Sequence, residues 1–270
     1  MDSMTPALAT DGAAGAVVAA RPAVPPARRA GAARLRLLTL PILLVAVWAV
    51  LYLWVSSQPL DSIEQRTLNA PYIQARLWEH LYLSALATVL VIALAVPLGV
   101  LLTRPFARRA TPLVLGLANI GQATPAIGVL VLLTLRFGVG LGVALFSLVF
   151  YSLLPVLRNT IVGIDQVDRA LVEAGRGMGM TRSAVLFRIE LPLAVPVILA
   201  GIRTALVIAV GVATVATFVN AGGLGDIIIN GIKLQRTPVL VTGSVLVASL
   251  ALLVDWLGGV AEAVLSPRGA

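Results

Sequence analysis

The sequence predicts an all-α, polytopic membrane protein with about six transmembrane helices, on three observations. Hydrophobic residues make up 59% of the 270 residues and charged residues only 12%, with a mean hydropathy of +0.99, far from the balance of a soluble domain. Apolar runs of about 20 residues, the length a helix needs to cross a bilayer, recur along the chain. The basic residues gather in alternate connections, as the positive-inside bias of membrane proteins requires.

The same composition removes several function classes. A formal net charge of +8 could point to nucleic acid, but topology accounts for the arginines, and no nucleic-acid partner is expected. The chain has no cysteine, one histidine (His80) and one lysine (Lys233). A thiol nucleophile, a disulfide framework and a His-cluster metal site are therefore absent. No G-x-x-x-x-G-K-[ST] stretch occurs, so the chain carries no phosphate-cradling P-loop.

Taken in order, residues 1–35 are rich in Ala, Pro and Arg without apolar periodicity, which predicts a disordered tail. A membrane domain follows over 36–265. The first span is the run from Leu37 to Val55. A secretory signal is the competing reading, but the run exceeds a normal h-region and no A-x-A site follows it, so a retained anchor is expected. Tyr52 and Trp54 suit an interfacial aromatic belt, while Trp48 suits lipid-facing packing. Residues 57–79 form an outer loop. Its end carries Ile73, Leu77 and Leu81 at helical spacing, an amphipathic lead-in to the second span. His80 at that entrance is read as an interfacial hydrogen-bonder.

The second span is expected over Leu81–Thr103, interrupted by Pro97 and Gly99. The basic loop with Arg104, Arg108 and Arg109 follows. The third span, Pro112–Leu135, carries a polar patch of Asn119, Gly121, Gln122, Thr124 and Pro125. The fourth runs over Val139–Leu157.

Asp165 to Pro192 is too charged to cross. It reads as two short helices with a sharp break. Asp165 is the expected N-cap, Asp168 adds first-turn negative charge, and Arg176 suits the helix end. Gly177 and Gly179 supply a break that tolerates positive φ. Thr181 caps the second helix, which Pro192 is expected to end. The fifth span, Leu193–Val219, holds Arg203 internally and Thr214 and Thr217 near its outer end. A Gly-rich loop with Gly222, Gly223, Gly225 and Asp226 leads to the sixth span, Val239–Val260, which contains Asp255. That loop lacks the Lys-Ser/Thr of a phosphate cradle and is read as a turn folding back toward the outer end.

With the N-terminus inside, fourteen arginines fall on the cytoplasmic side and five basic residues (Arg66, Arg76, Arg136, Lys233, Arg236) outside, leaving Arg203 within the membrane. This places Asp165–Pro192 in the cytoplasm.

One spacing is more specific. Glu173, Ala174 and Gly175 are followed by three residues and Gly179, then nine residues, Ile189, one residue, Leu191 and Pro192. This resembles the EAA loop of ABC-transporter importer permeases, EAA-x3-G-x9-I-x-LP, with Gly175 in place of the second alanine. A glycine there costs roughly 1 kcal/mol of helix stability relative to alanine. Over about 78–262 the stretches WEHLYLSALA, GQATPAIGVLVLL, EAGRGMGMTRSAVLFRIELPLAVPVILAGIRTA and NAGGLGDIIINGI resemble the permeases for glycine betaine, choline and carnitine. The methionine permeases share the Gly-rich ending. The resemblance implies the type I importer permease fold in the bacterial cytoplasmic membrane. It also implies a second permease subunit, identical or not, two ATPase subunits that hold ATP and Mg2+, and a separate extracytoplasmic binding protein. No cofactor and no catalytic residue are expected on this chain.

Two groups of candidate residues follow. By resemblance, Glu173, Ala174, Gly175, Gly179 and Met180 couple the spans to the ATPase, within a cytoplasmic loop over 159–192. For the translocation pathway the candidates are Gln122, Thr124, Pro125, Arg203, Thr214, Thr217 and Asn220. A polar patch in hydrocarbon must face protein or water, and hydrogen bonding between helices of one subunit explains it equally well. Arg203, about 15 Å into its span by helical rise, either faces an inner vestibule or the coupling interface, or bonds backbone carbonyls or Asp255. An ion-coupled secondary transporter is the alternative of a different class, and the EAA spacing argues against it.

Overall fold

The computed structural model describes residues 26–265, with side chains from 38 to 264, and among these the regular structure is all helical. Two units are present, Met1–Thr39 and Leu40–Ala270. Of the first, only the opening part of helix α1 (Pro26–Ser56) is described. The expected tail, 1–35, lies outside the described residues as far as position 25.

Within α1 the stretch Leu38–Ser56 is apolar and long enough to cross a membrane. Trp48 and Tyr52 are exposed on it. A short helix, α2 (Ser62–Thr67), follows and is closed by a reciprocal capping box. Asp61 Oδ1 accepts from Glu64 N at 2.8 Å, and Glu64 Oε2 accepts from Asp61 N at 2.9 Å, which satisfies two otherwise orphaned donors.

The expected lead-in and second span form one helix, α3 (Ala70–Leu102), of 33 residues. Asn69 caps it through Tyr72 N, and Pro71 occupies its first turn, where a missing N–H costs nothing. At about 50 Å by helical rise it exceeds the hydrocarbon thickness, so one end projects.

The third span departs from expectation. Instead of one helix over Pro112–Leu135 there are two, α4 (Thr111–Ala123) and α5 (Ala126–Phe137), bent by 96° at the break. The cause is local. Thr124 precedes Pro125 and adopts extended backbone, φ −74° and ψ 140°, because the proline ring disfavours the helical region for the residue before it. The pair leads from the end of α3 to the start of α6 (Leu141–Asp165). Taken as one broken span, it brings the helices long and apolar enough to cross a membrane from five to six among the described residues.

Five further α-helices follow α6 among the described residues: α7 (Arg169–Gly177), α8 (Arg182–Val185), α9 (Leu191–Ala213), α10 (Gly225–Lys233) and the long α11 (Thr237–Leu265). Helix α10 was not foreseen within the Gly-rich outer loop. Arg104, Asp165 and Glu190 bring the ends of α3 and α6 and the start of α9 to one face, here called the basic face.

Lipid tails are as apolar as leucine, so close packing rather than burial from water holds such helices together. The centre of the bundle is α6 against α9. At Gly163 a Cβ would lie 3.2 Å from Ala194 O, and at Gly201 it would lie 2.8 Å from Pro155 O. Two glycines thus let the backbones touch. Ile164, Ala194 and Ile198 fill the packing near the basic face. Val91, Ala95, Val156, Leu157 and Ala205 continue it, and Leu83, Ala87, Leu130, Leu148 and Ala213 close the opposite end.

Candidate functional site

The segment between α6 and α9 is built by short-range rules. Asp165 is the last residue of α6, not the N-cap expected of it. Asp168 takes that role, its Oδ1 accepting from Ala170 N at 2.9 Å. The reason is that α6 runs eight residues beyond the expected Leu157 before releasing the chain. Helix α7 then ends in a Schellman motif. Gly179 N donates to Arg176 O at 2.9 Å and Met180 N to Gly175 O at 3.1 Å, with Gly179 at φ +83°. These are the two reversed bonds that satisfy the last carbonyls of a helix. Thr181 caps α8, accepting from Ala184 N at 3.2 Å, as its sequence predicts.

Pro192 does not stop the second helix. A π turn over Leu186–Glu190 joins α8 to α9, and Pro192 stands in the first turn of α9. In the wide turn Leu191 N donates to Leu186 O, five residues back, and the helix passes Pro192, which has no N–H to donate. Residues 182–219 accordingly form one continuous apolar helix long enough to cross a membrane.

All five expected coupling residues lie on this unit. Glu173 and Ala174 are exposed on α7, and Gly175 is its buried residue. A Cβ at Gly175 would come 2.6 Å from Ile189 Cδ1 and 3.3 Å from Met180 Sδ. The glycine that departs from the EAA pattern is thus where α7 rests on the π turn. Among the described residues Glu173 forms no ion pair. Leu171, Met178 and Phe187 are exposed apolar side chains on the same segment, and Arg169, Arg176, Arg182 and Arg188 are exposed alongside Asp168 and Glu173, so the segment presents a mixed apolar and charged surface.

Behind that surface lies a cavity of about 290 Å3, lined by Arg104, Arg108, Asp165, Glu173, Arg176 and Glu190 among others. Arg104 Nη2 donates to Glu190 Oε2 at 2.6 Å, and Glu190 is buried. Arg108 stands 3.6 Å from Asp165, both well exposed, a pair worth little in water.

The pathway candidates divide into separate places. At the α4–α5 break, Gln122 Nε2 donates to Tyr151 O at 3.2 Å, and the Tyr151 hydroxyl donates to Thr124 O at 2.5 Å. Thr124 Oγ1 donates to Ile120 O within its own helix, and Pro125 O accepts from Gly128 N. A helix interrupted inside a membrane needs such partners for its freed carbonyls. Thr124 and Pro125 are exposed there and Gln122 half-buried.

Thr214, Thr217 and Asn220 lie where α9 tightens into a 3-10 turn, Thr214–Val219, that ends on Asn220 at φ +59°. Thr214 Oγ1 bonds Gly211 O at 2.7 Å. Thr217 Oγ1 bonds Gly222 O at 3.3 Å and also Asp226. This turn packs on α5, with Leu130 among Ala213, Ala216 and Val219. Arg203 joins neither group. Its Nε and Nη2 each donate to a different Asp255 oxygen at 2.6 Å, with Glu262 at 3.7 Å. Of the alternatives open in the sequence, the pairing with Asp255 is the one found.

Sequence reasoning overlooked a polar cluster at the end opposite the basic face. Glu79 Oε2 accepts from Gly223 N at 2.9 Å, and Arg76 bridges Glu79 at 2.8 Å and Asp226 at 2.7 Å. His80 is fully buried. Its Nδ1 accepts from Leu224 N at 3.2 Å, which leaves Nε2 to donate to Val210 O at 3.0 Å. The only available signal was the spacing of Arg76, Glu79 and His80 on one helix face.

Comparison with known proteins gives concordant results. Residues 95–266 match the family described as binding-protein-dependent transport system inner membrane component. The carnitine transport permease protein OpuCD of Listeria monocytogenes is 45% identical over 206 residues, 76% of this chain and 92% of that protein. The glycine betaine/carnitine/choline transport system permease protein OpuCB of Bacillus subtilis is 44% identical over 191 residues, 71% of this chain and 87% of that protein. Among solved structures, a chain of the MetNI methionine ABC transporter in inward-facing conformations aligns with a TM-score of 0.64 at 24% identity. It covers 74% of this chain and 100% of that chain, a likeness of fold.

Proposed function

The chain belongs to the family of binding-protein-dependent transport system inner membrane components, and from that premise we propose that it is the membrane-spanning permease of an ATP-driven importer for osmoprotectants of the glycine betaine, carnitine and choline type. The solute class rests on relatives that carry those names at 44–45% identity. Separate ATPase subunits bind ATP and Mg2+ and hydrolyse the nucleotide, and a separate extracytoplasmic protein delivers the solute. Two permease subunits enclose the pathway. The basic face is cytoplasmic, which the excess of arginine in its connections supports, and the N-terminus lies on the same side.

One observation carries the mechanism. The segment 168–190 is a rigid turn with an exposed Glu173, closed by Gly179 and continuous with a membrane-crossing helix through the π turn. A partner that grips α7 and moves it must move α9. Helix α9 leads to the 3-10 turn at Thr214–Val219, which packs on α5 next to the mid-membrane break. ATP-driven closure of the ATPase subunits therefore has a mechanical route to Gln122, Thr124 and Pro125. Gating between outward and inward access requires an element that can take two arrangements, and helices α7 to α9 are the ones this route would move.

Carbon-14-labelled glycine betaine uptake and ATP hydrolysis are measured in proteoliposomes holding this chain, its ATPase subunits and the binding protein. Hydrolysis and uptake that both rise with glycine betaine plus binding protein are the expected result. Hydrolysis coupled to methionine instead would remove the solute assignment and keep the permease. Uptake driven by an ion gradient without any ATPase would overturn the proposal.

A further inference from the structure

We infer that Arg104 and Glu190 are a positioning pair that fixes the root of α9 to α3, so that both helices move together when the 168–190 segment is displaced. The inference rests on the coupling role proposed above and names residues outside the EAA spacing. Glu190 is the final residue of the π turn, at the point where the two short loop helices become a membrane span. It is buried, and Arg104 Nη2 holds it at 2.6 Å. Arg104 is itself oriented, its Nε donating to Val100 O at 3.2 Å at the end of α3. A cation is favoured at that helix end. A largely buried carboxylate with its own oriented guanidinium is a joint that costs free energy to open, because Glu190 would lose its charged partner.

A second attachment lies at the far end of the same two helices. His80 of α3 bonds Val210 O of α9 at 3.0 Å and accepts from Leu224 N at 3.2 Å. Glu79 accepts from Gly223 N at 2.9 Å. Helices α3 and α9 are therefore tied by polar contacts at both ends, with apolar packing of Val91, Ala95 and Ala205 between. Of the two ties, only the Arg104–Glu190 joint lies where the driving displacement enters. Without it α9 would tilt against α3 and the displacement would be absorbed at the π turn.

The test uses the complete transporter in proteoliposomes, with wild type measured first. Wild type lacking ATP-driven glycine betaine uptake removes the proposed function, a failure distinct from those that follow. The readout is glycine betaine moved per ATP hydrolysed, since loss of folded transporter lowers both quantities together and leaves their ratio unmoved. Glu190→Gln and Arg104→Gln are expected to lower that ratio roughly fivefold, within the range by which coupling elements act. The reversed pair Arg104→Glu/Glu190→Arg is expected to recover about half of it, as a pairwise coupling requires.

Because the chain has no cysteine, Arg104→Cys/Glu190→Cys can be bridged on the purified permease by a short bifunctional thiol reagent, and the bridged chain is then assembled with its partner subunits. Bridging is expected to restore the ratio in that variant, and this arm decides the question if the other variants do not assemble. Single variants with an unchanged ratio, or a bridged transporter that hydrolyses ATP without uptake, would overturn the inference.

Discussion

Gly175 and Ile189 occupy one contact: a Cβ on the glycine would stand 2.6 Å from the isoleucine Cδ1. The glycine lets α7 rest on the π turn at this position. The atom a Cβ would meet is the far end of a flexible side chain, so Gly175→Ala, which gains roughly 1 kcal/mol of helix propensity, can be admitted by turning Ile189 aside. The variant is expected to stay close to wild type in thermal stability and to retain its ATPase subunit on purification. Adding Ile189→Val removes the terminal methyl group, and the double variant should match or exceed the single one. Thermal unfolding and copurification of the ATPase check both expectations.

Gly179 answers to a different constraint. Its φ is +83°, yet nothing lies within 4 Å of where a Cβ would sit. Strain alone, with no clash, therefore limits substitution. Asn, which tolerates the left-handed region, should keep most of the uptake, while Val should lose about 1–2 kcal/mol of local stability and most of the uptake. Gly179→Pro forbids the positive φ and removes the bond to Arg176 O. It should abolish transport while membrane insertion, followed by fractionation, stays intact.

The contrast between these glycines marks what the sequence makes legible. Caps, helix-ending glycines and apolar runs are local signals, and the Schellman turn at Gly179 and the cap at Thr181 were readable from a few neighbouring residues. Asp165 and Asp168 are equally good caps in isolation, and the choice between them depends on how far α6 extends over its packing partners. Prolines were misleading for the same reason. Pro97 was expected to interrupt its span and stays inside the continuous α3, whereas Pro125 breaks the third span. Tyr151, 27 positions from Thr124, donates its hydroxyl to the broken end. Pairs such as Arg104–Glu190 and His80–Leu224, separated by 86 and 144 positions, leave no periodic trace at all.

Tyr151 therefore carries a prediction of its own. Tyr151→Phe removes the hydroxyl that bonds Thr124 O and keeps the ring against Phe150. The carbonyl at the end of α4 is left without that donor, at a cost of about 1–3 kcal/mol if no water replaces it. Glycine betaine uptake is expected to fall while ATP hydrolysis persists, because the change lies at the break and not at the 168–190 segment. Equal losses of both activities would instead place Tyr151 in the stability of the bundle.

Arg203 and Asp255 join α9 to α11 through two 2.6 Å bonds. Gly258 and Gly259 leave room for the guanidinium: Cβ atoms there would stand 2.9 Å from Arg203 Cγ and 3.0 Å from its Nη1. Both side chains are a third or more exposed from the bundle, but within a membrane-spanning helix removing one charge is worse than removing both, since a lone charge there is costly without its partner. Among the described residues Asp255→Asn leaves Arg203 Glu262 as its acidic partner, at 3.7 Å, and should lower the unfolding temperature. Arg203→Met/Asp255→Leu should be milder than either single variant, by about 1–3 kcal/mol in a double-mutant cycle. The same cycle separates scaffold from pathway. If the double variant recovers stability and uptake together, Arg203 acts through the α9–α11 contact. If it recovers stability while uptake stays low, the guanidinium also serves the passage of solute.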